Sequence, residues 1–319
     1  MDECVYHYCS LDVFDKIISN KTLRMTDVRQ MNDSAEVVHI EPMVKRILME
    51  YYKDYPSDQV CTAIDQAIEK ILGGGTGNFL SLAACFSEYP DLLDQWRGYG
   101  DDGMGVSIGF DRTVINRIAK SNPLFCFGKV HYSQKAPESF IRETIKQTAK
   151  AFKMDLYKSI SSLELDIQVI VSYVFEQGAV FFKKSCFRNE IESRLALTGC
   201  ARHGGFIELT HPILQLNGKG FYSLGENALV SLSDLSYFIK GKQVRKYMDL
   251  GFSKVANQLI KKVTIGPKAS VSESDIRFML KTNGFPVYHE LFNYSDLGSA
   301  LNDDTEHTIT VCSSECTYR

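Results

Sequence analysis

The apolar residues of the chain recur with two different periods, one typical of helices and one typical of strands. At the start, CVYHYC predicts a strand, Ser10 is placed to cap a helix that ends near Asn20, and TLRMT predicts a second strand. Helical spacing then dominates at about 36–72 and again at about 137–178. We therefore expect two helical insertions in an otherwise strand-rich chain.

Most of the predicted strands lie between and after these insertions. They are FLSLAACFSE, GVSIGF, FCFGKVHYS, FRNEIESRLAL, GFIELT, GFYSLG and KKVTIGP. A short helix is predicted around Trp96, and a capped helix is predicted from Ser272 to Asn283. Because strands and helices do not alternate regularly, the pattern predicts an α+β fold with a mixed or antiparallel sheet.

Composition is that of an ordinary soluble globular protein. The 319 residues are 44% hydrophobic and 24% charged, which gives enough apolar material for a core, and the length alone suggests about two domains. No apolar run approaches the roughly 18 residues of a membrane span, and the first residues carry acids where a signal peptide has bases. We expect a cytoplasmic protein with no membrane contact.

Net charge and cysteine content limit the ligands and metal sites that the sequence predicts. There are 36 basic and 39 acidic residues, a formal charge of -3, so any contact with nucleic acid has to be local. The nine cysteines form no CxxC pair and mostly lie in apolar surroundings, as buried reduced thiols do. We therefore predict no metal site.

Two strand regions carry polar residues that a core strand does not need. His7 lies inside the first predicted strand, and a single strand histidine is more often structural than functional. The second region is the strand end at Ser87 with the loop that follows, which carries Trp96, Arg97 and Tyr99. Such a group can line a cleft for a flat ring or a phosphate, or Trp96 can simply fill the core.

A third region, FRNEIESR, carries paired acids. Strand alternation would put Glu190, Glu192 and Arg194 on one face, so that two carboxylates project together. Paired acids can serve acid–base or cation-stabilising chemistry, because each raises the pKa of the other. The alternative is a solvated edge balanced by Arg188 and Arg194, and the residues alone slightly favour it.

Taken together, several motifs resemble a bacterial family of unknown function over nearly the whole chain. They are YHYCS, LRMTDVRQMNDSAE, CFSE, DQWRGYGDDGMGVSIGF, FRNEIESR, KKVTIGP and the pair Tyr318-Arg319. That family looks like a distant branch of the ADP-ribosyltransferase superfamily and is similar to its DNA-targeting toxins. The resemblance implies one domain over 1–319, built on a split mixed or antiparallel sheet of ADP-ribosyltransferase type with helical insertions.

By this resemblance the substrate is NAD. His7 would bond a hydroxyl of the adenosine-side ribose, and Ser87 would support the nicotinamide ribose. An aromatic residue such as Tyr8, Phe86 or Tyr99 would stack on nicotinamide. The second motif reads CFS where the superfamily usually has Ser-Thr-Ser. The implied NAD-binding residues are His7, Tyr8, Ser10, Phe86, Ser87 and Tyr99.

The resemblance also implies catalytic roles. Glu192 would stabilise the oxocarbenium character that builds up when the nicotinamide–ribose bond breaks. Glu190 would help to activate the acceptor, although which of the two glutamates matches the superfamily's catalytic one stays open. Arg97 would clamp the pyrophosphate with its planar guanidinium.

The implied function is that of an NAD-dependent mono-ADP-ribosyltransferase, a bacterial toxin or anti-phage defence effector that modifies RNA or DNA. An antitoxin or chaperone would be a further partner. Three alternatives stay open: an inactive nucleotide-, ADP-ribose- or partner-binding module of the same fold, a transferase acting on protein, and a metal-dependent hydrolase.

Two basic clusters could be solvated faces or nucleic-acid contacts: Lys183-Lys184 with Arg188, and Lys240, Lys242, Arg245 and Lys246. The segment with Asn32, Asp33 and Glu36 could be a capped turn or a loop over the ligand.

Overall fold

The protein combines one large sheet with helices on both of its faces. The computed structural model describes residues 3–31, 37–72, 79–122, 125–152, 160–201, 207–208, 228–287 and 308–318. The strands are β1 Cys4–Cys9, β2 Thr22–Asp27, β3 Phe79–Ser87, β4 Val106–Asp111, β5 Phe125–Lys129, β6 Glu192–Ala201, β7 Ile207–Glu208, β8 Ser231–Leu232, β9 Ser236–Lys240, β10 Gln243–Gly251, β11 Ile260–Ile265 and β12 Thr310–Ser313. The helices are α1 Leu11–Asn20, α2 Glu41–Tyr51, α3 Ser57–Leu72, α4 Leu93–Gly98, α5 Arg112–Ser121, α6 Lys135–Phe152, α7 Ile160–Tyr173, α8 Ala256–Leu259 and α9 Glu273–Thr282.

The sheet is mixed, which confirms the predicted mixture of helices with a mixed sheet. Its main path runs β12-β11-β4-β1-β3-β2-β10-β8, while β6 joins β3 to β5 and β7, and β9 pairs with β10. Strands β11 and β12 are parallel, and the other pairings of named strands are antiparallel.

The sheet splits along one edge of β3. Strand β6 pairs with β3 over its whole length, from Phe79 to Ser87. The opposite edge is divided, because β2 pairs there at Leu82 and Ala83 whereas β1 pairs only at Ser87. The edge of β3 between these two pairings is therefore left open, and this gap in the sheet forms the cleft described below.

Both helical insertions pack together on one face of the sheet. Helices α2, α3, α6 and α7 share a single apolar cluster, and the sheet contributes Ala83 and Ala196 to it, two small residues that face each other across β3 and β6. Alternation along β3 sends Leu82, Ala84 and Phe86 to the other face, where α1, α5 and α9 cover the second cluster. The fold thus has three layers, and the cleft opens where the middle layer is split.

Local sequence signals account for most of the elements. The hydroxyl of Ser10 accepts a hydrogen bond from the Val13 backbone, and Ser272 forms a capping box with Asp275, so both helices begin where their caps predict. Helix α5 was not expected, although Asp111 caps it with two backbone hydrogen bonds. The hairpin formed by β9 and β10 was also missed, because its polar and apolar residues do not alternate cleanly.

Several expectations need correction or lie outside the described residues. FRNEIESRLAL is not one strand: Ser185–Glu190 forms a 3₁₀ helix, Ile191 has a left-handed backbone with φ of 44°, and β6 begins only at Glu192. Of GFIELT, only Ile207–Glu208 is described as a strand. The segment GFYSLG, the residues Asn32, Asp33 and Glu36, and Arg319 are outside the described part of the chain.

Candidate active site

A cleft opens at the split in the sheet. Its volume is about 260 Å³, close to the lower end of the roughly 300–1,000 Å³ typical of small-molecule sites. Three strands supply its floor, because Ser87 of β3 is in register with Tyr6 of β1 on one side and with Glu192 of β6 on the other. The lining residues are Tyr6, His7, Tyr8, Arg24, Thr26, Met31, Ala83, Cys85, Phe86, Ser87, Gln95, Gly98, Tyr99, Lys183, Glu190, Glu192, Arg194, Lys240 and Arg245.

His7 bridges the open edge of β3. Its Nδ1 lies 3.0 Å from the carbonyl oxygen of Cys85, in the part of the edge that neither β1 nor β2 covers. A carbonyl only accepts, so Nδ1 carries the proton and Nε2 is left as an acceptor. Burial lowers the pKa of His7, against the opposing effect of the Cys85 carbonyl. The ring is therefore neutral near pH 7 and presents an acceptor of the kind that a ribose hydroxyl requires.

Of the three aromatic residues predicted to stack on nicotinamide, Tyr99 is the one that is exposed. Phe86 is 2% exposed and packs edge-on against Phe110 in the core. The Tyr8 hydroxyl is engaged twice, since it donates to the Tyr89 carbonyl and accepts from the Leu92 backbone. Tyr99 is 39% exposed and lines the cleft, so among these three residues it is the most accessible to a ligand.

Glu192 is buried and held by two cations. Arg194 donates to both carboxylate oxygens, from Nε to Oε1 at 2.7 Å and from Nη2 to Oε2 at 3.0 Å, and Lys183 donates to Oε2 at 3.2 Å. Burial opposes ionisation of Glu192, but the charges of Arg194 and Lys183 outweigh it and hold the pKa of this carboxyl well below its usual range. The expectation that paired acids raise the pKa is therefore wrong for Glu192.

Glu190 reaches the same cleft from outside the strand. It ends the 3₁₀ helix, and the left-handed backbone of Ile191 turns the chain before Glu192 begins β6. Lys183 donates to its Oε2 as well as to Glu192, so one ammonium joins the two carboxylates. Its Oε1 accepts from the Tyr99 hydroxyl at 3.0 Å. The predicted strand alternation is wrong for Glu190, but the structure still brings both acids into one site.

Three residues singled out in the sequence lie away from the cleft lining. The guanidinium of Arg97 stacks on the ring of Tyr318 at 4.8 Å and does not line the cleft, unlike its neighbours Gly98 and Tyr99. Ser10 caps α1 and is likewise not a lining residue. Trp96 is fully buried, which decides in favour of core filling.

The cleft is positively charged although the chain is not. Five basic residues line it against two acidic ones, an excess of three positive charges, whereas the chain as a whole carries -3. One of the five, Arg24, is paired with Asp249 outside the lining. The two acids contact Lys183 and Arg194, while the other cations come from β2 and the hairpin. The overall charge therefore says little about which ligands this site attracts.

Sequence reasoning did not assign Lys183, Arg194 or Gln95 to the site. Lys183 is buried, but in the sequence it stands beside Lys184, which is exposed, and no local pattern separates the two. Arg194 was read as balancing a solvated edge, whereas it is completely buried under the insertions and also donates to the Val180 carbonyl. Gln95 donates to the Glu190 carbonyl and so ties α4 to the acids. The Gln95 contact spans 95 positions and leaves no local signal, whereas Lys183 and Arg194 are close to the acids in sequence and only their burial was unexpected.

The described part of the chain contains no group of three or more His, Cys, Asp or Glu residues arranged to hold a metal ion. None of its helices combines the length and the apolar character needed to cross a membrane. Eight cysteines are described there, all as free thiols.

Comparison with known proteins gives one match. Residues 95–195 match a family described as "Protein of unknown function (DUF2971)". No curated protein and no solved structure matches the chain. The matched segment runs from α4 into β6, so it contains Tyr99, Lys183 and both acids, while His7, Ser87 and the hairpin lie outside it.

Proposed function

We propose that the cleft binds NAD and that the protein is an NAD-dependent mono-ADP-ribosyltransferase. The observation that carries the proposal is the convergence of His7, Ser87 and Glu192 on one cleft from three different strands. The resemblance described above assigns NAD to this trio of positions. The acceptor nitrogen of His7 and the exposed ring of Tyr99 add chemistry that suits a ribose and a planar base.

In the proposed reaction, the bond between the nicotinamide nitrogen and ribose C1 breaks, and its electron pair leaves with nicotinamide. Positive charge then builds on the ribose, and the ionised Glu192 stabilises it through the 2′-hydroxyl. The acceptor forms a new bond to C1 and loses a proton, for which Glu190 is the nearest base to the Tyr99 side of the cleft. In this account Arg194 and Lys183 position Glu192 and keep it ionised.

We further propose nucleic acid as the acceptor class, with RNA or DNA entering over the positively charged lining. The excess of positive charge at the cleft favours a polyanionic partner over a protein surface of mixed charge. A role as a toxin or anti-phage effector in the cytoplasm, checked by an antitoxin, follows from the resemblance alone. The alternative acceptor class is protein, and separate reactions with nucleic acid and with protein distinguish the two.

The test incubates the purified protein with NAD labelled in its adenylate phosphate, together with RNA, single-stranded DNA and lysate protein in separate reactions. Label should be transferred to nucleic acid, and Glu192→Gln should slow transfer by about 100-fold or more. Glu69→Gln makes the same chemical change on the exposed side of α3 and should act like the wild type. Equal transfer by the Glu192 variant would remove this residue from its role.

One observation favours a second candidate, a module that binds a nucleotide without turning it over. Three charged hydrogen bonds already engage the carboxylate of Glu192, so its negative charge is largely balanced. Calorimetry that finds ADP-ribose binding, combined with no nicotinamide release in the presence of every acceptor, would select this candidate.

A further inference from the structure

The hairpin formed by β9 and β10 brings two cations to the end of the cleft away from Glu190 and Glu192. Gln243 pairs with Lys240, so only Gly241 and Lys242 form the turn, and Gly241 adopts the left-handed backbone, with φ of 62°, that such a tight turn requires. Lys240 and Arg245 both line the cleft.

The register of the hairpin separates its two faces. Arg245 lies opposite Phe238, two residues before Lys240, so these three side chains share a face. The other face carries Tyr237, Ile239 and Val244, all strongly exposed. The basic face is thus the one turned toward the cleft.

Arg24 holds this basic face in place, but its own charge is largely neutralised by an acidic partner. Its guanidinium is bonded to the Asp249 carboxylate through Nε and Nη2 and lies 3.7 Å from the centroid of the Tyr247 ring. Because both partners are on β10, these contacts tie the hairpin to β2 at the cleft. We therefore treat Arg24 as a positioning residue.

Lys240 and Arg245, in contrast, retain donors that no described residue uses. Lys240 has no carboxylate partner in the described part of the chain and is exposed. Arg245 donates from Nη2 to Gln243 at 3.4 Å, whereas its Nε is buried and has no hydrogen-bond partner among the described residues. A planar guanidinium with a spare donor beside an ammonium is a typical phosphate-binding pair.

From this arrangement we infer that the hairpin end of the cleft binds the diphosphate of a nucleotide, with Lys240 and Arg245 as the phosphate-binding residues. The two acids at the other end are already paired with Lys183 and Arg194, so the unpaired positive charge of the cleft lies at the hairpin. A dinucleotide would therefore be oriented with its diphosphate at the hairpin and one ribose toward Glu192. The inference rests on the proposed function only for the identity of that dinucleotide, and it replaces Arg97 as the pyrophosphate clamp.

Calorimetry on the full chain tests the inference with inorganic pyrophosphate, ADP, ADP-ribose and adenosine as probes. Lys240→Ala and Arg245→Ala should each lower the affinity for pyrophosphate, ADP and ADP-ribose by about 10- to 100-fold. This is the loss expected for one charge-assisted hydrogen bond. Adenosine should bind equally to all variants. Lys242→Ala removes the same charge from the turn outside the lining and is the matched control, expected within about twofold of the wild type.

A second arm separates nucleotide phosphates from the phosphates of a nucleic acid. The same variants are titrated with a single-stranded oligonucleotide that lacks terminal phosphates. If Lys240→Ala and Arg245→Ala weaken the oligonucleotide but leave ADP and pyrophosphate unchanged, the inference is overturned. Arg245→Lys keeps the charge without the planar fork, so intermediate affinity in a folded variant supports the assignment, and unchanged ADP affinity in both Arg245 variants contradicts it.

Nicotinamide release, measured on the same preparations, distinguishes this inference from the proposed function. Diphosphate binding that depends on Lys240 and Arg245 without any release would keep the inference and remove the transferase. Release of nicotinamide by variants that bind ADP-ribose as tightly as the wild type would keep the transferase and remove the inference.

Discussion

The two ends of the cleft hold their charges in opposite ways. At the acidic end, Glu192 and Arg194 are buried and bonded to each other, and Lys183 joins Glu192 to Glu190. At the hairpin end, Lys240 is exposed and Arg245 keeps a buried donor that no described residue satisfies. At the acidic end the charged groups are therefore paired with each other, whereas at the hairpin end two cations remain available to bind an anion.

From this difference we expect one group of residues to affect the stability of the fold and the other to affect the affinity for ligands. Removing one partner from a buried ion pair leaves a desolvated charge, so changes at the acidic end should destabilise the fold. Removing an exposed cation costs the fold little, so changes at the hairpin should appear only in binding.

The largest expected effect is loss of stability in Arg194→Met. This change leaves the buried Glu192 without its bidentate partner and should lower the free energy of unfolding by about 3–5 kcal/mol, measured by urea denaturation. Arg188→Met, at an exposed position six residues before Arg194, should change it by no more than about 0.5 kcal/mol. The double variant Glu192→Gln with Arg194→Met should recover part of the loss. Equal stability of Arg194→Met and wild type would break the comparison.

The next effect concerns His7 and pH. Burial lowers the pKa of His7 below 6.5, so the unfolded chain binds this proton first as the pH falls, and stability is lost from about pH 6.5 down to the folded pKa. The affinity for ADP-ribose should stay constant from pH 8 to below pH 6.5. It should fall only as the pH approaches the lowered pKa of His7 in the folded protein, because a protonated Nε2 cannot accept from a ribose hydroxyl.

His7→Phe checks this interpretation. It removes the acceptor and should weaken ADP-ribose by about tenfold at pH 7.5, and the remaining affinity should lose the His7-dependent fall below pH 6.5. Calorimetry at several pH values measures both effects. A fall of the same size in the variant would show that another group is responsible.

A smaller effect is expected at Tyr99. Tyr99→Ala should lower the affinity for NAD by about fivefold to tenfold, which is the contribution of one aromatic stacking contact. Tyr99→Phe keeps the ring and loses only the hydrogen bond to Glu190, so it should bind within about threefold of the wild type. If both variants weaken binding equally, the hydroxyl and not the ring face is what matters.

The smallest effect is expected at Arg97. Its guanidinium faces Tyr318 outside the cleft lining, so Arg97→Ala should change NAD affinity by less than about twofold. Measured beside Arg245→Ala, it decides which arginine serves the phosphates. A large loss in Arg97→Ala with none in Arg245→Ala would restore the sequence-based assignment.

Much of the fold could be predicted from the sequence because its signals are local. Strands β1 and β3 and helices α1 and α9 have clear periodicity or caps within a few residues. The packing of the two insertions into one body could not be predicted in this way. It depends on small residues, such as Ala83 and Ala196, that meet only once β3 and β6 are paired.

The site shows the same limit. His7, Ser87 and Glu192 stand in recognisable motifs, so they could be proposed before the strand order was known. The ionised state of Glu192 could not be predicted, because it depends on the charges of Lys183 and Arg194, which outweigh the effect of burial on its pKa. Arg97 was expected to clamp the pyrophosphate, and Arg245 was seen only as part of a basic cluster. It is the register of the hairpin that turns Arg245 toward the cleft.

The most direct test of the central claim is a crystal structure of the Glu192→Gln variant with NAD. The account predicts electron density in the split of the sheet, with one ribose hydroxyl within hydrogen-bond distance of His7 Nε2 and the nicotinamide ribose beside residue 192. NAD bound elsewhere, or an empty cleft at NAD concentrations that saturate binding in solution, would contradict it.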